Sequence, residues 1–237
     1  MNIAILLAAG NGTRTKSSKP KQFQSINGLP LFAYSLLTFH HHPLIDTIII
    51  VTQKSYQKRL SAWIKRHHLE KVKAVIEGGN SRQESVYLGL ESIASWAKME
   101  DIVLIHDAAR PFVSDALIEK HIQLHDHFFA VNTVIPVTDT ILSSKDGVHL
   151  NEVLNRNELY QVQTPQSFHY GSLYHAHQKA KELQITNASD DIQLMSLVNI
   201  PVFLVQGEQE NMKITYPQDF LLMKMILKKK QKKQEEK

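Results

Sequence analysis

Short apolar runs alternate with amphipathic stretches along most of the chain. The runs are too short for helices and are rich in Ile, Val and Leu, as expected for buried strands of a parallel sheet. They predict strands at residues 3–7, 47–52, 72–77, 102–105, 130–137 and 201–206.

The stretches between these runs repeat apolar positions at helical spacing. They predict helices at residues 30–41, 55–68, 81–94, 115–127, 171–184 and 190–198. Ser81 and Glu84 fit a capping box, and Pro30 and Pro217 stand where first-turn prolines belong. This alternation predicts an α/β fold with a Rossmann-like, doubly wound and mostly parallel sheet.

One region, at about residues 136–164, breaks the alternation. Its sequence predicts a β-hairpin whose strands are 140–142 and 148–150, joined by an Asp146-Gly147 turn. A hairpin of this size cannot bury a core of its own. We expect this β-arm either to cover an active site or to pack on a second subunit.

Size and composition narrow the class of protein. With 237 residues and 43% hydrophobic content, the chain can bury one substantial core, so we expect a single domain over residues 1–227. Cysteine is absent, which excludes disulfides and thiolate metal sites. No segment approaches the roughly 20 apolar residues of a membrane span, and the N-terminal apolar run is too short for a signal peptide. We therefore expect a cytoplasmic protein that contacts no membrane.

The net charge of +4 belongs to the C-terminus. Residues 228–237 hold six Lys and two Glu, which is +4, so the remaining chain is formally neutral. Such a run is typically disordered or the frayed end of a helix. We expect it to be disordered and to bind no nucleic acid; salt-dependent affinity that disappears on deleting it would show otherwise.

The first apolar run is followed by a loop that is rich in small residues and in positively charged residues. Gly10 and Gly12 leave backbone N–H groups open to a ligand, and four cations follow: Arg14, Lys16, Lys19 and Lys21. Bare backbone beside concentrated positive charge predicts a polyphosphate site. An ordinary surface loop with solvated lysines is the alternative.

Two common phosphate-binding loops do not fit this segment. A dinucleotide fingerprint needs a third glycine where Thr15 stands, and Pro20 disfavours a helix through Lys19. A Walker A loop needs Gly-Lys-Ser/Thr after four intervening residues, which is not found here. A nicotinamide-dependent oxidoreductase would share the fold, but the missing glycine counts against it.

Polar residues follow other predicted strands. Asp107 and Arg110 come directly after the strand at 102–105, where Asp107 could hold Mg²⁺ or a sugar hydroxyl and Arg110 a phosphate. A local Asp–Arg ion pair would explain them equally well. Gly78-Gly79 precedes the Ser81 cap, which suits either backbone contact with a ligand or a plain turn. Lys213 lies in a strand-like run, where a solvent-facing side chain is the ordinary interpretation.

The histidines do not predict a metal site. His121 and His125 have the spacing of a ligand pair on one helix face, but no third ligand lies near them in the sequence. We expect them to be polar side chains on the surface or on helix faces.

Taken in order, these motifs resemble one family, the 2-C-methyl-D-erythritol 4-phosphate cytidylyltransferases. The resemblance covers essentially the whole chain except the lysine-rich tail, and it implies a nucleotidyltransferase fold of the GT-A-like kind. It rests on Ala8-Ala9-Gly10-x-Gly12-x-Arg14, Pro20-Lys21-Gln22, Gly78-Gly79-x-x-Arg82-x-x-Ser85, His106-Asp107-Ala108-Ala109-Arg110-Pro111, Asp139-Thr140, Thr164-Pro165-Gln166 and Asn211-x-Lys213-x-Thr215.

The resemblance also implies roles for individual residues. The catalytic cations around the α-phosphate would be Arg14, Lys21 and Lys213. The CTP contacts would be Ala8, Ala9, Gly10, Gly12, Gly79, Ser85, Asp107 and Ala108. The sugar-phosphate contacts would be Asp107, Arg110, Thr140, Arg156, Thr164, Ser189 and Lys213. The β-arm would swap across a homodimer, so that Thr140, Arg156 and Thr164 reach the neighbouring subunit's site.

The implied reaction is Mg²⁺-dependent transfer of CMP from CTP to 2-C-methyl-D-erythritol 4-phosphate, with release of pyrophosphate, in non-mevalonate isoprenoid synthesis. The Mg²⁺ would be held mainly by the CTP phosphates, with Asp107 as a candidate ligand. No general base is needed, because a phosphate monoester with a second pKa near 6 is already a dianion at neutral pH. The segment from Asn155 to Phe168 also resembles ribitol-5-phosphate cytidylyltransferases, so ribitol 5-phosphate stays open as the acceptor. Asn80 and Ser81 stand where the family often carries acidic residues.

Overall fold

The computed structural model describes residues 1–10 and 20–235, with a seven-stranded sheet at the centre. Its strands lie in the order β11-β7-β10-β6-β1-β4-β5. Neighbours pair in parallel except β10, which is antiparallel to both β6 and β7. Their bounds are β1 (Asn2–Ala8), β4 (Thr47–Thr52), β5 (Val72–Glu77), β6 (Ile102–Asp107), β7 (Ala130–Pro136), β10 (Tyr160–His169) and β11 (Phe203–Gln206). The predicted mostly parallel sheet is confirmed.

Helices cover both faces of this sheet, because successive residues of its buried strands point to opposite sides. In β1, Ala4 and Leu6 pack with α1 (Leu31–His41), α2 (Lys54–Arg66) and α4 (Asp115–Leu124). Ile3 and Ile5 pack with α3 (Arg82–Glu91), α5 (Tyr170–Glu182) and α6 (Asp191–Met195). The last helix, α7 (Pro217–Glu235), packs on a smaller cluster with Leu31 and Phe112. The doubly wound arrangement is therefore as predicted.

The longest strand of the sheet, β10, was not predicted. Its sequence from Tyr160 to Gln166 is mostly polar and contains Pro165, which is rare in central strands because it donates no hydrogen bond. The register with β7 shifts between Val162 and Gln166, so Pro165 falls in an irregular part of the ladder. The hairpin prediction therefore extended too far, since residues 160–164 belong to the central sheet.

The β-arm is smaller and differently paired than predicted. Its strands are β8 (Leu142–Ser143) and β9 (Glu152–Val153), not 140–142 and 148–150. Asp146 accepts backbone hydrogen bonds from Val148 and His149, which stabilises a long connection instead of a two-residue turn. A second small ladder joins β2 (Ser25–Ile26) and β3 (Leu29–Pro30).

The lysine-rich tail was expected to be disordered, but α7 continues through it to Glu235. Lys, Gln and Glu are good helix formers, and the helix enters the tail already nucleated. Lys229 and Lys230 lie 3.5 and 3.6 Å from the carboxylate of Glu210, and the Lys230 ammonium lies over the Phe112 ring.

No helix in the described part of the chain combines the length and the apolar composition that a membrane span requires.

Candidate active site

A cleft of about 440 Å³ opens where β1, β4, β5 and β6 end. Ligands bind at this edge of open α/β sheets, outside the carboxyl ends of the strands. Its wall is formed by Leu7, Ala8, Ala9, Gly10, Lys21, Gln22, Gln53, Gly78, Gly79, Asn80, Ser81, Arg82, Ser85, Asp107, Ala109, Lys213 and Thr215. Six separate segments of the sequence therefore meet around one volume.

Two glutamines hold the backbone after β1. Gln22 Nε2 donates hydrogen bonds to the carbonyls of Ala8 and Gly10, at 2.6 and 2.8 Å. Gln53, just after β4, donates to the carbonyl of Ala9 at 3.3 Å. These carbonyls are thereby engaged inside the protein, which fixes the path of the chain at the cleft wall. Gly12, Arg14, Lys16 and Lys19 lie outside the described residues.

The turn after β5 requires glycine for reasons of space. A Cβ at Gly78 would lie 2.5 Å from Ala9 Cβ, and one at Gly79 would lie 2.2 Å from the Glu84 side chain. Ser85 Oγ accepts a hydrogen bond from the Gly79 N–H and donates one to the Ser81 carbonyl. Ser85 thus ties the turn to the first turn of α3, whose backbone forms this side of the cleft.

The predicted capping box is confirmed at the start of α3. Ser81 Oγ accepts a hydrogen bond from the Glu84 N–H at 3.0 Å. Glu84 reaches back one residue further than the motif describes, because its carboxylate accepts from the N–H of Asn80 at 2.6 Å. The helix start at the cleft is therefore fixed by its own side chains.

The cleft contains a buried carboxylate between two cations. Asp107 Oδ2 lies 2.6 Å from Lys213 Nζ, and its Oδ1 lies 3.8 Å from Arg82 Nε. Burial raises the pKa of Asp107, but the charges of Lys213 and Arg82 outweigh burial and hold it well below its usual range. Asp107 is consequently an anion at neutral pH, and Lys213 faces the cleft as its partner.

Arg82 also pairs with an acid behind the cleft wall. Its Nη1 donates to Asp191 Oδ2 at 2.6 Å, and Asp191 Oδ1 lies 3.0 Å from His177 Nε2. Burial lowers the pKa of Arg82, but the charges of Asp191 and Asp107 raise this pKa by more than burial lowers it. Arg82 therefore stays a cation. A chain of alternating charge thus runs from Asp191 through Arg82 and Asp107 to Lys213.

Lys21 contributes another cation to the cleft. It begins a short 3-10 turn, Lys21–Phe23, directly after Pro20. The side chain of Phe23 stacks on Tyr56 of α2, which holds this turn against the sheet. Lys21 is mostly buried, with 8% of its surface exposed, yet it lines the cleft.

Two residues expected to bind the sugar phosphate point elsewhere. Arg110 Nη1 and Nη2 donate to the backbone carbonyls of Asn211 and Val162 at 2.9 and 3.1 Å, so the guanidinium braces β10 and the segment before α7. Thr164 Oγ1 accepts a hydrogen bond from the Asp107 N–H at 3.0 Å. Neither residue lies among those that line the cleft, and Ala108 is also buried.

The remaining predicted residues lie apart from the cleft. Thr140 and Arg156 are exposed on the β-arm, where Arg156 Nη1 donates to the Thr138 carbonyl at 3.4 Å. Ser189 is exposed just before α6. Among the described residues, the polar side chains of the arm do not line the cleft of their own subunit.

The sequence interpretation missed several residues of this site. Arg82 stood in a quoted motif but was given no role, although an arginine in the first turn after a glycine pair is a visible signal. Gln53 and Asp191 gave no such signal, because a single polar residue after a strand or before a helix is common. Only the folded chain brings Asp191 within 2.6 Å of Arg82.

The prediction that His121 and His125 are surface or helix-face side chains was wrong about burial. Both are buried, and both lie within hydrogen-bond distance of Ser167 Oγ, at 2.7 and 2.8 Å. His121 Nε2 also lies 2.7 Å from Thr133 Oγ1. Burial lowers the pKa of His121 to about 3 and that of His125 to about 4.

The donor set suits a metal ion that arrives with a ligand. Within residues 1–10 and 20–235, no three His, Asp or Glu side chains form a group that could hold a metal ion. Asp107 is a carboxylate on the cleft wall, and Mg²⁺ commonly binds one or two carboxylates together with substrate phosphates. The residues therefore fit a divalent ion bound mainly to phosphates, with Asp107 as its protein ligand.

The fold and the cleft together define the class of protein. A mostly parallel, doubly wound sheet carries bare backbone and cations at its carboxyl edge, which is the architecture of an α/β nucleotide-binding protein. Comparison with known proteins gives the family. The sequence matches the 2-C-methyl-D-erythritol 4-phosphate cytidylyltransferase family over residues 2–229, and the chain belongs to it.

Individual relatives agree with this assignment. A 2-C-methyl-D-erythritol 4-phosphate cytidylyltransferase of Clostridium acetobutylicum is 39% identical over 231 residues, which cover 97% of this chain and 98% of that protein. The solved structure of the enzyme of that name from Thermus thermophilus has a TM-score of 0.76 at 31% identity, covering 94% and 98% of the two chains. That of 4-diphosphocytidyl-2C-methyl-D-erythritol synthase from Anaerococcus prevotii has a TM-score of 0.80 at 27% identity, covering 96% of each.

Proposed function

We propose that this protein transfers CMP from CTP to 2-C-methyl-D-erythritol 4-phosphate in the cleft, with Mg²⁺ as the cofactor. The observation that carries the proposal is the meeting of Lys21, Lys213 and Asp107 around bare glycine backbone at the edge of the sheet. This is the activity of the family to which the chain belongs. The product is 4-diphosphocytidyl-2-C-methyl-D-erythritol, an isoprenoid precursor.

The chemistry asks the protein for positioning and for positive charge. The acceptor phosphate is largely dianionic at neutral pH and attacks the α-phosphate of CTP without a base. Two polyanions must be held in line while negative charge accumulates on the α-phosphate oxygens. Lys21 and Lys213 lie on the cleft wall where they would bind these oxygens.

Other residues bind and orient the nucleotide. The base and ribose would bind against the backbone of Ala8, Ala9 and Gly10 and against the turn at Gly79. This turn needs glycine, because a larger side chain at Gly79 would displace Glu84. When bound, Mg²⁺ would supply positive charge that neutralises the phosphates and polarises the reacting one. Asp107 would hold that ion, and Lys213 keeps Asp107 ionised.

Pyrophosphate release tests the reaction and the acceptor together. The protein should release pyrophosphate from CTP when both Mg²⁺ and 2-C-methyl-D-erythritol 4-phosphate are present. D-ribitol 5-phosphate serves as the second acceptor, and faster turnover with it would assign the other activity. Failure with both acceptors would overturn cytidylyl transfer to a polyol phosphate.

The second part of the proposal is a homodimer in which the arm of one subunit completes the site of its partner. The arm exposes large apolar side chains, with Val148 at 80% and Leu150 at 62% exposed, as expected of a surface that packs on another chain. Thr140 and Arg156 would then bind the sugar phosphate in the partner's cleft. Sedimentation should give twice the monomer mass of 27.1 kDa.

Mixing two inactive variants tests whether the site is shared. A heterodimer of K21A and R156A subunits has one site with both residues intact, so a random mixture should recover about a quarter of the normal activity. Each variant alone should be nearly inactive. If the mixture stays as inactive as its components, Arg156 acts within its own subunit; normal activity of R156A alone would show that Arg156 has no role.

A further inference from the structure

Among the described residues, one oxygen of Asp107 has no close partner. Its Oδ2 is paired with Lys213 Nζ at 2.6 Å, whereas Oδ1 has Arg82 Nε only at 3.8 Å, too far for a direct hydrogen bond. No hydrogen-bond donor to Oδ1 is found in the described part of the chain apart from this long contact. Asp107 is one of the residues that line the cleft.

The side chain of Arg82 is long enough to form a hydrogen bond with Asp107 Oδ1, and its other contacts explain why it does not. Arginine and a carboxylate normally pair through two parallel N–H···O bonds at about 2.7–2.9 Å. Here Nη1 is held by Asp191 Oδ2 at 2.6 Å instead, and Nη2 is buried without a hydrogen-bond partner in the described residues. Two carboxylates therefore compete for one guanidinium, and Asp191 has the closer contact.

Asp191 is itself firmly placed. It is the first residue of α6, its side chain is 1% exposed, and its Oδ1 lies 3.0 Å from His177 Nε2 on α5. Arg82 is the first residue of α3, which the Ser81 cap fixes at the cleft. The direction of the guanidinium is thus set by groups outside the cleft.

We propose that Asp191 is a positioning residue that turns the Arg82 guanidinium away from Asp107 and so keeps Asp107 Oδ1 available to a ligand. The ligand is a divalent cation carried by CTP, and in this respect the inference rests on the proposed function. Arg82 still lies close enough to help keep Asp107 ionised. Without the charge of Asp191, Arg82 is expected to rotate and form a paired contact with Asp107.

A binding cycle tests this inference with a readout other than turnover. The affinity for CTP in MgCl₂ is measured by calorimetry for the wild type, D191N, R82Q and the double variant. D191N should weaken binding about tenfold, whereas the same change in the R82Q background should alter it less than about twofold. E182Q removes an exposed acid paired with Lys179 on α5 and should bind CTP normally.

Equal losses from D191N in both backgrounds would overturn the proposal, because Asp191 would then not act through Arg82. If D191N alone does not fold, the comparison of R82Q with the double variant decides, since both lack the Arg82 charge. Their CTP affinities should agree within about twofold, and a larger difference overturns the proposal. CTP binding without pyrophosphate release would count against the proposed function, while the binding cycle would still decide the role of Asp191.

Discussion

Two groups of buried ionisable side chains contact β10, and one of them is charged whereas the other is neutral. In the cleft, Asp107 lies between Lys213 and Arg82 and remains charged. In the second group, His121 and His125 face hydroxyl and carbonyl groups and remain neutral. Both groups are removed from water, so burial alone does not decide the charge state.

The difference lies in the charges that face each group. Burial disfavours the ionised form of Asp107, yet two nearby cations stabilise it more. Burial also disfavours imidazolium at His121, and the groups facing it are His125, His106 and Lys120, which disfavour it further. A buried group thus stays charged only when it is paired, and the paired group is the one that can bind a charged ligand.

The largest effect is expected from removing a cation of the cleft. K21A should lower kcat/KM by an amount that corresponds to a loss of about 3–4 kcal/mol of transition-state stabilisation, the usual loss for one charge-stabilising donor. Steady-state pyrophosphate release measures it. K54A is a matched control, because Lys54 is 81% exposed and pairs with Glu77 only at 3.8 Å. Near-normal kcat in K21A would remove Lys21 from the mechanism.

Removing Lys213, the partner of Asp107, should weaken the stabilisation that the ionised carboxylate gives the fold. Since the pKa of Asp107 is lower in the folded than in the unfolded protein, its ionised form stabilises the fold above about pH 4, and this stabilisation is lost as pH falls further. K213A should therefore lower the unfolding free energy at pH 7 by about 1–2 kcal/mol and reduce the further loss of stability that Asp107 causes below about pH 4.

Urea unfolding between pH 3 and 7 measures this change. The D107N/K213A double variant supplies the control, because it contains neither charge. Its acid limb should differ little from that of D107N alone. If K213A and the wild type lose the same amount of stability between about pH 4 and pH 3, Lys213 does not set the ionisation of Asp107.

The neutral group should respond to pH in a different window. The pKa values of His121 and His125 in the fold, about 3 and 4, lie below the ordinary value of 6.5. The neutral forms therefore stabilise the fold fully above pH 6.5, and stability falls as pH drops from 6.5 towards 4, by on the order of 1 kcal/mol per pH unit for each histidine.

Unfolding free energies at pH 7 and 5 test this prediction. H121N should reduce the difference between the two pH values, because one of the buried bases is removed. H127N is the control, since His127 is an exposed residue just after α4. Equal pH dependence in H121N and the wild type would show that folding does not lower the pKa of His121.

The smallest effect is expected outside both groups, at the N-terminal cap of α4. Ser114 caps this helix, with its Oγ accepting the Leu117 N–H at 3.2 Å, and it also contacts Glu208. S114A should cost about 1 kcal/mol of unfolding free energy and leave kcat/KM unchanged. Thermal unfolding and the pyrophosphate assay measure the two quantities. A loss of activity at unchanged stability would contradict a purely structural role.

Most of the scaffold followed from local pattern. The strands at 47–52 and 72–77 have the predicted bounds, and the predicted helices occur with shifted ends. The strand β10 could not be found in this way, because its polar sequence around Pro165 is acceptable only where the ladder with β7 is irregular. The tail was misjudged because composition does not show that a helix already formed upstream continues into it.

The cleft was predicted unevenly for a similar reason. Lys21, Gly79, Ser85, Asp107 and Lys213 were proposed from the sequence and lie together on the cleft wall. Arg110 and Thr164 were proposed with them but make contacts inside the protein. A motif shows that a residue belongs to a loop near the site, and it does not show the direction of the side chain.

By itself, the sequence determined the alternation of strands and helices and the positions of the glycine turns and cations, because these depend on short-range periodicity and on residue type. Only the tertiary structure decided which charges meet. Asp107, Arg82 and Asp191 are separated by up to 109 residues, yet lie in one chain of contacts. Coulomb interactions depend on distance in space, and the packing of α3 and α6 beside β6 sets that distance.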